Sequence, residues 1–263
     1  MTIETVIVPV DFSESSLNAA KYAVKLFTGR YGVNMILHHV YENTSDAEEA
    51  NRSLESLKAI LMETGIVKIS TLAEKGEDFL IELEKLARHR KADLIVMGIT
   101  ERKVIGQSLL GSNALRILKT KVCPVLIVPP DSSYHDVNNA LLTSDFEDVV
   151  ASTPSVPIRN FLKTFHPRLH ILNISSEHYV SLTEKYQQEK EKLKKMFEEL
   201  NPEFYFLGLN DVDEAINQFA SDKKIDLIII IHKGQPFFSK YFIKSRTKKL
   251  AYQSDIPIFA IHE

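Results

Sequence analysis

The sequence contains a single cysteine, Cys123, and no tryptophan. One cysteine excludes an internal disulfide, so a reducing compartment fits this chain. Cys123 precedes Pro124 and an apolar run, and we expect a small buried hydrophobic residue there rather than a reactive thiol.

An excess of charge of one sign and long apolar stretches are also missing. The 32 basic and 35 acidic residues give a formal net charge of −3, whereas a dedicated nucleic-acid binder usually carries a strong basic excess. The longest apolar runs, such as Leu227 to Ile231, are far too short to cross a bilayer. No basic start followed by an apolar segment opens the chain. We therefore expect a cytoplasmic protein with neither a membrane nor nucleic acid as its partner.

Short apolar runs alternate with longer segments of helical period. Because these runs are apolar almost throughout, we expect strands that are buried on both faces, as in a parallel sheet covered by helices. The order strand, helix, strand, helix predicts right-handed units and an α/β fold with a doubly wound sheet. The clearest strand segments are Thr5–Val10, Met35–Val40, Leu94–Met97 and Val125–Val128.

The second half of the chain repeats the plan of the first. Without gaps, the segment from Asp93 to Pro124 aligns with the segment from Asp226 to Pro257 at a constant offset of 133, and Asp11 aligns with Asp145 at an offset of 134. Two anchors at nearly one offset indicate a duplicated domain. We predict one domain over residues 1–132 and a second over 138–263, each with a five-stranded parallel sheet of the nucleotide-binding type.

The two halves differ just after their first strands. In the first half Ser13 is a good N-cap for the helix that follows. In the second half Pro154 and Pro157 interrupt the corresponding stretch, so we expect its helix to begin only near Pro157.

Two segments of the first half are candidates for a ligand site. In an open parallel sheet, ligands bind beyond the carboxyl ends of the strands, where the strand order reverses. Pro9, Val10 and Asp11 leave the first strand there, and a carboxylate at Asp11 can accept hydrogen bonds from a ribose. After Met97 come Gly98 and, further on, Gly111, Ser112 and Asn113. Glycines let backbone amides approach an oxyanion, and a helix N-terminus favours phosphate.

Each candidate also has a purely structural interpretation. Gly98 can simply end a strand, and Gly111 with Ser112 can simply begin a helix, since isolated glycines are weak signals. Asp11 can be the N-cap of the following helix instead of a ligand contact. The residues by themselves leave these alternatives open.

The sequence resembles the universal stress protein family, as a tandem member. The resemblance is carried by Val8-Pro9-Val10-Asp11-Phe12-Ser13 at the opening, by the spacing from Gly98 to Gly111-Ser112, and by Cys123-Pro124-Val125-Leu126-Ile127-Val128 at the close of the first half. One branch of that family binds ATP with this loop. The resemblance implies that Pro9, Val10 and Asp11 hold ribose and adenine, and that Val40 lines the adenine pocket. It also implies that Gly98, Gly111, Ser112 and Asn113 surround the phosphates, that Met97 is a further cofactor-binding residue, and that Mg²⁺ can accompany the nucleotide.

One loop position departs from the family pattern, because Glu101 stands where a second glycine is expected. A carboxylate roughly 5 Å from a phosphate chain repels it by about 1 kcal/mol in water-like surroundings, and by more where the dielectric falls. Glu101 can instead point outward or help to hold Mg²⁺, which favours carboxylate oxygen. If it obstructs the loop, we expect weakened ATP binding or a shift towards AMP, ADP or adenosine. The second half has lost more, since Ile231 and Lys244 stand in place of Gly98 and Gly111.

Two functions from different classes fit these residues. The first is a non-enzymatic stress-response protein that senses an adenine nucleotide through its first domain. The alternative is a nucleotide-independent interaction protein with a decayed ATP site. We expect no enzyme activity beyond weak incidental ATP hydrolysis, because no P-loop lysine and no water-positioning base are evident.

The resemblance also implies pairing of the two domains within the chain through their last strands, residues 125–128 and 258–261. Such pairing would hide two apolar sheet edges. Homodimers of whole chains and an unidentified protein partner stay open. A segment from Lys233 to Lys249 holds six basic residues and no acidic one; a solvated helix face explains it, and a patch for an anionic partner is the alternative.

Overall fold

The computed structural model describes residues 3–99, 112–174, 184–207, 212–232 and 255–263. The chain divides into two compact units between Tyr134 and His135, and each unit is described by itself. None of the helices in these ranges is long and apolar enough to cross a membrane.

Unit 1 alternates strands and helices, as its hydrophobic pattern predicts. The expected strands lie within one or two residues of the observed bounds. In chain order the elements are β1 (Thr5–Pro9), α1 (Glu14–Phe27), β2 (Asn34–Tyr41), α2 (Ala47–Thr64), β3 (Lys68–Lys75), α3 (Phe79–Arg90), β4 (Leu94–Gly98), α4 (Ser112–Lys119) and β5 (Val125–Val128).

The five strands of unit 1 form a parallel sheet in the order β3-β2-β1-β4-β5. The chain runs outward from β1 to β3 and then returns to the other side of β1, so the strand order reverses between β1 and β4. Helices α1 and α2 pack against each other, as do α3 and α4. The strands β1, β4 and β5 are buried through most of their length, which explains their near-continuous apolar character.

Side chains at the helix ends fix where the helices of unit 1 begin. Ser13 is the N-cap of α1, and its Oγ accepts the N–H of Ser16 at 3.3 Å. Asp78 caps α3 by accepting the N–H groups of Leu80 and Ile81. The predicted N-cap at Ser13 is therefore confirmed.

Unit 2 has the same sheet topology as unit 1. Its elements are β6 (Asn139–Thr143), α5 (Val149–Ser152), α6 (Ser155–Leu162), β7 (Arg168–Ile174), α7 (Glu184–Met196), β8 (Glu203–Leu207), α8 (Val212–Lys223), β9 (Leu227–His232) and β10 (Ile258–His262). Its five strands are parallel, in the order β8-β7-β6-β9-β10. Two five-stranded parallel α/β sheets are thus present, as predicted; the pairing of the last strands stays a prediction.

The helix after β6 differs from our expectation. It does not begin near Pro157 but at Ser155, and the separate four-residue helix α5 precedes it. Pro157 is the third residue of α6, where its missing N–H costs nothing because the first N–H groups of a helix have no partner within it.

Matching hydrogen bonds in the two units show the duplication in detail. Asp93 Oδ2 accepts the N–H groups of Glu4 and Thr5, each at 2.9 Å. In unit 2, Asp226 Oδ2 accepts those of Asn138 and Asn139, each at 2.8 Å. The two aspartates are separated by the offset of 133 found in the sequence, so each carboxylate holds the start of its unit's first strand.

The single cysteine is buried, as expected. Cys123 is 4% exposed. Burial raises the pKa of its thiol to about 12, so the thiolate, which is the reactive form, is scarce at neutral pH.

Candidate functional site

The candidate site lies at the carboxyl edge of the sheet of unit 1, beside the reversal between β1 and β4. The chain leaves β1 through Val10, whose N–H donates to the carbonyl of His38 in β2 at 2.8 Å. Pro9 and Val10 are buried, whereas the next residue, Asp11, is exposed. The end of β1 therefore presents a carboxylate to solvent at the place where open parallel sheets bind ligands.

Hydrogen bonds from Ser13 fix the carboxylate of Asp11. Asp11 Oδ1 accepts the N–H of Ser13 at 3.0 Å and also its hydroxyl. This geometry excludes one of the two roles considered for Asp11, because the N-cap of α1 is Ser13 and not Asp11. Asp11 is thus held in a defined orientation without covering a helix end.

The surroundings of Asp11 favour the ionised form of its carboxyl group. Partial burial raises the pKa of its carboxyl, but hydrogen bonds from Ser13 and Ser16 outweigh that effect and hold the pKa below its ordinary value. A carboxylate that is charged and acceptor-only at neutral pH suits the hydroxyl groups of a polyol.

Gly98 ends β4 in close contact with the first turn of α1. A Cβ on Gly98 would lie 2.3 Å from the carbonyl oxygen and 2.6 Å from the carbonyl carbon of Ser15. Glycine is therefore required by strand–helix packing, which supports the structural interpretation of Gly98. The same contact brings the end of β4 next to the Asp11–Ser13 segment.

The remaining apolar candidates line the ends of their strands. Met97 in β4 is buried, and Val40 in β2 is half-buried. Gly76, just after β3, gives Val40 room, since a Cβ there would lie 3.0 Å from Val40 Cγ1 and 2.5 Å from Glu82 Cγ. The sequence analysis missed Gly76, although a glycine immediately after a strand is the signal that could have indicated it.

Two histidines of β2 support this edge of the sheet. His39 Nδ1 lies 2.7 Å from the carbonyl oxygen of Val10, and its ring packs on Phe12. His38 is fully buried, with Nε2 3.0 Å from Glu74 Oε2. Burial lowers the pKa of His38 despite the hydrogen bond to Glu74.

Of the loop and helix expected to surround the phosphates after β4, the structure describes only the helix α4. Gly111 and Glu101 lie outside the described residues. Helix α4 begins at Ser112, as the sequence predicts, and Asn113 in its first turn is exposed. Arg116 in the same helix pairs with Asp78 at 3.3 Å. The described backbone therefore places a helix N-terminus at Ser112, with the polarity that favours an anion.

The corresponding edge of unit 2 has a different surface. Asp145 Oδ1 accepts the N–H of Glu147, and Asn173, at the position of His39, donates to the carbonyl of Ser144 at 2.9 Å. The main change concerns Phe146, which is buried and stacks on Tyr186 with a centroid distance of 5.0 Å. The matched loop positions at Lys244 and the basic segment from Lys233 to Lys249 lie outside the described residues.

Known proteins resemble the chain both in sequence and in fold. A universal stress protein of Methanocaldococcus jannaschii is 34% identical over an alignment of 138 residues, and the match covers 47% of this chain and 80% of that protein. A universal stress protein of Archaeoglobus fulgidus shares the fold over 100% of this chain and 99% of its own, with a TM-score of 0.72 at 18% identity. Another, solved in complex with cAMP, is 27% identical, with a TM-score of 0.43, and covers 50% of this chain and 100% of its own.

The model of the universal stress protein family matches twice, over residues 2–129 and over residues 166–262. The two matches fall on units of the same topology, and together they span most of the chain. The chain therefore belongs to the universal stress protein family, as a tandem member with two copies of its domain.

Proposed function

We propose that this protein binds an adenine nucleotide through unit 1 and acts as a non-enzymatic nucleotide sensor. The observation that carries the proposal is the carboxylate of Asp11, which is exposed, fixed by Ser13 and placed beside the reversal of strand order. Ribose hydroxyls donate hydrogen bonds to such a carboxylate, and charge-assisted bonds of this kind are the stronger ones. Pro9, Val10 and Val40 supply the apolar surroundings that an adenine ring needs.

The phosphates of the nucleotide would extend towards the N-terminus of α4. Free N–H groups at a helix N-terminus and the helix dipole favour a phosphate there, and Ser112, Asn113 and Gly111 are the residues at or next to that end. Glu101 belongs to the loop before this helix. A carboxylate at that position opposes a long phosphate chain, so the proposal favours nucleotides with few phosphates over ATP.

We propose one nucleotide site per chain. In unit 2 the ring of Phe146 is covered by Tyr186 and Phe206, and Ile231, which matches Gly98, is a buried strand residue. Both features support the proposal that unit 2 has kept the fold but not the ligand site.

Calorimetric titration with ATP, ADP, AMP and cAMP in the presence of Mg²⁺ tests the proposal. The key variant is Asp11→Asn, which keeps an oxygen acceptor for Ser13 but removes the charge that faces the ribose. We expect about a tenfold loss of affinity, since a hydrogen bond to a charged group contributes roughly 1.5–3 kcal/mol. The matched control is Asp145→Asn at the equivalent position of unit 2, and it should leave the affinity unchanged.

The Glu101→Gly variant distinguishes a nucleotide site of low affinity from the absence of a nucleotide site. If the native protein binds AMP and Glu101→Gly gains affinity mainly for ATP, then Glu101 limits the phosphate chain. If neither protein binds any of the four nucleotides at millimolar concentration, the proposed function is wrong. Nucleotide binding that survives Gly111→Val with Ser112→Ala would place the phosphates elsewhere.

A further inference from the structure

The chain segment that leaves unit 1 is bound along helix α1. After β5, residues 129–134, here called the exit segment, complete unit 1 before the chain enters unit 2. The side-chain amide of Asn18 in α1 donates hydrogen bonds to three carbonyl oxygens of this segment. The donor–acceptor distances are 3.2 Å to Pro129, 3.1 Å to Pro130 and 3.0 Å to Ser132. Because an amide group has two N–H donors, one of them is shared between two acceptors.

Further contacts hold the exit segment against the same helix. The N–H of Ser132 donates to the carbonyl of Pro129 at 3.1 Å, and Ser132 is buried. At the other end of the segment, the ring of Tyr134 packs edge-on against the buried ring of Tyr22, with a centroid distance of 5.5 Å. Tyr22 follows Asn18 by four residues, so both lie on one face of α1. The exit segment is thus docked on this face at both of its ends.

The first turn of the same helix holds the residues of the proposed nucleotide site in place. Ser13 caps α1 and fixes the carboxylate of Asp11. The carbonyl of Ser15 lies so close to Gly98 that no side chain fits there. Asn18 follows Ser15 by three residues, which is about 4.5 Å along a helix axis. The nucleotide site and the exit segment are therefore held by adjacent turns of one helix.

The ends of β4 and β5 connect the two places from the side of the sheet. Gly98 and Val128 are partners in the register of these strands, and Pro129 follows directly in the chain. Helix α1 packs against both strands. A local opening that moves the first two turns of α1 away from this edge would therefore break the contact at Gly98 and the hydrogen bonds of Asn18 together.

Unit 2 differs at the equivalent positions. The repeat offset of 134 places Ser152 and Val156 where unit 1 has Asn18 and Tyr22. The hydroxyl of Ser152 donates to the carbonyl of Glu147 at 3.0 Å, and Val156 is 55% exposed. The face that docks the exit segment is thus a feature of unit 1, the unit in which we place the nucleotide site.

We propose that nucleotide binding in unit 1 controls how tightly the exit segment is docked on α1, and that Asn18 carries this coupling. The inference rests on the proposed function. A nucleotide bound at Asp11 holds the first turn of α1 against the sheet edge, and the hydrogen bonds of Asn18 hold the second turn against the exit segment. Because both oppose the same local opening, each stabilises the other, and the effect is reciprocal. Asn18 is a positioning residue that acts on the ligand through α1.

Amide hydrogen exchange of the full chain, measured by NMR with AMP and Mg²⁺ as the probe, tests the coupling. The N–H of Ser132 reports on docking, because its acceptor is the carbonyl of Pro129 within the docked segment. Saturating AMP should slow exchange at Ser132 at least about fivefold in the native protein, the lower end of typical couplings between two sites. In Asn18→Ala, AMP should bind more weakly by a similar factor and should leave the exchange at Ser132 unchanged.

Three further variants separate the coupling from a general loss of stability. Tyr134→Ala loosens the far end of the exit segment without changing α1, and it should also reduce the effect of AMP on Ser132. Lys21→Ala removes an exposed side chain from the same helix, and Ser152→Ala changes the matched position of unit 2. Both of these should keep the native response, whereas a merely structural role of Asn18 would change melting temperature without changing the response to AMP.

The outcomes distinguish this inference from the function on which it rests. If calorimetry shows no binding of AMP to the native protein, the proposed function and the coupling are both wrong. If AMP binds but leaves the exchange at Ser132 unchanged, only the coupling is wrong. An equal response in Asn18→Ala and the native protein would also overturn the coupling, and so would an equal loss of response in Lys21→Ala.

Discussion

Replacing Gly98 with alanine should destabilise unit 1, although any residue can adopt an extended strand conformation. The added Cβ would lie 2.3 Å from the carbonyl oxygen of Ser15 and 2.6 Å from its carbon. Ordinary contacts between such atoms begin near 3.4 Å, so the end of β4 and the first turn of α1 must separate by roughly 1 Å. Overpacking of this kind costs about 1–3 kcal/mol.

Thermal unfolding measures this cost. For a domain of this size, about 2 kcal/mol corresponds to a decrease in Tm of roughly 6–10 °C. The experiment compares native protein and Gly98→Ala by circular dichroism, with urea unfolding as an independent measure of the free energy. A change in Tm below about 2 °C would refute the argument, because it would mean that the strand end and the helix are not in contact.

Paired rescue variants show whether backbone or side-chain atoms cause the loss of stability. The obstacle at Gly98 is backbone, so Gly98→Ala with Ser15→Gly should be no more stable than Gly98→Ala. The matched case is Gly65, where a Cβ would lie 2.1 Å from Thr28 Oγ1, a side-chain atom. Gly65→Ala should also destabilise, but Thr28→Ala should restore part of the loss. Rescue at both sites or at neither would contradict the distinction between a backbone contact at Gly98 and a side-chain contact at Gly65.

Two further predictions concern polar groups of the strands and strand starts. Because burial lowers the pKa of His38 in the folded state, its contribution to stability is complete above the unfolded pKa near 6.5 and decreases as the pH falls below it, by at most about 1.4 kcal/mol per pH unit. His38→Gln should therefore reduce the difference in unfolding free energy between pH 7.5 and pH 5.5. Asp93→Ala leaves the N–H groups of Glu4 and Thr5 without their acceptor. Because the first of these hydrogen bonds is exposed and the second only partly buried, the loss should be about 1–2 kcal/mol in urea unfolding. Asp226→Ala should cost a similar amount in unit 2, and a loss in one unit alone would contradict the equivalence of the two carboxylates.

The hydrophobic pattern was sufficient to predict the fold because parallel strands buried on both faces carry a strong periodic signal. The runs at residues 5–10 and 125–128 became β1 and β5 with little change in their bounds. The start of α6 was less predictable. Pro157 is compatible with several positions in the first turn of a helix, and only packing selects Ser155 as the first residue.

At the candidate site, the sequence predicted at which strand and helix ends the candidate residues lie, because the carboxyl ends of parallel strands share one edge of a sheet. Pro9 ends β1, Val10 and Asp11 follow it, Gly98 ends β4, and Ser112 begins α4. The sequence also established the duplication, since a constant offset between two copies survives the loss of individual residues.

Only the tertiary structure decided the roles of single side chains. Asp11 is an acceptor for Ser13 rather than an N-cap, and Gly98 is required by the carbonyl of Ser15. Both facts depend on distances between segments whose approach is set by packing, and local propensity contains no information about it.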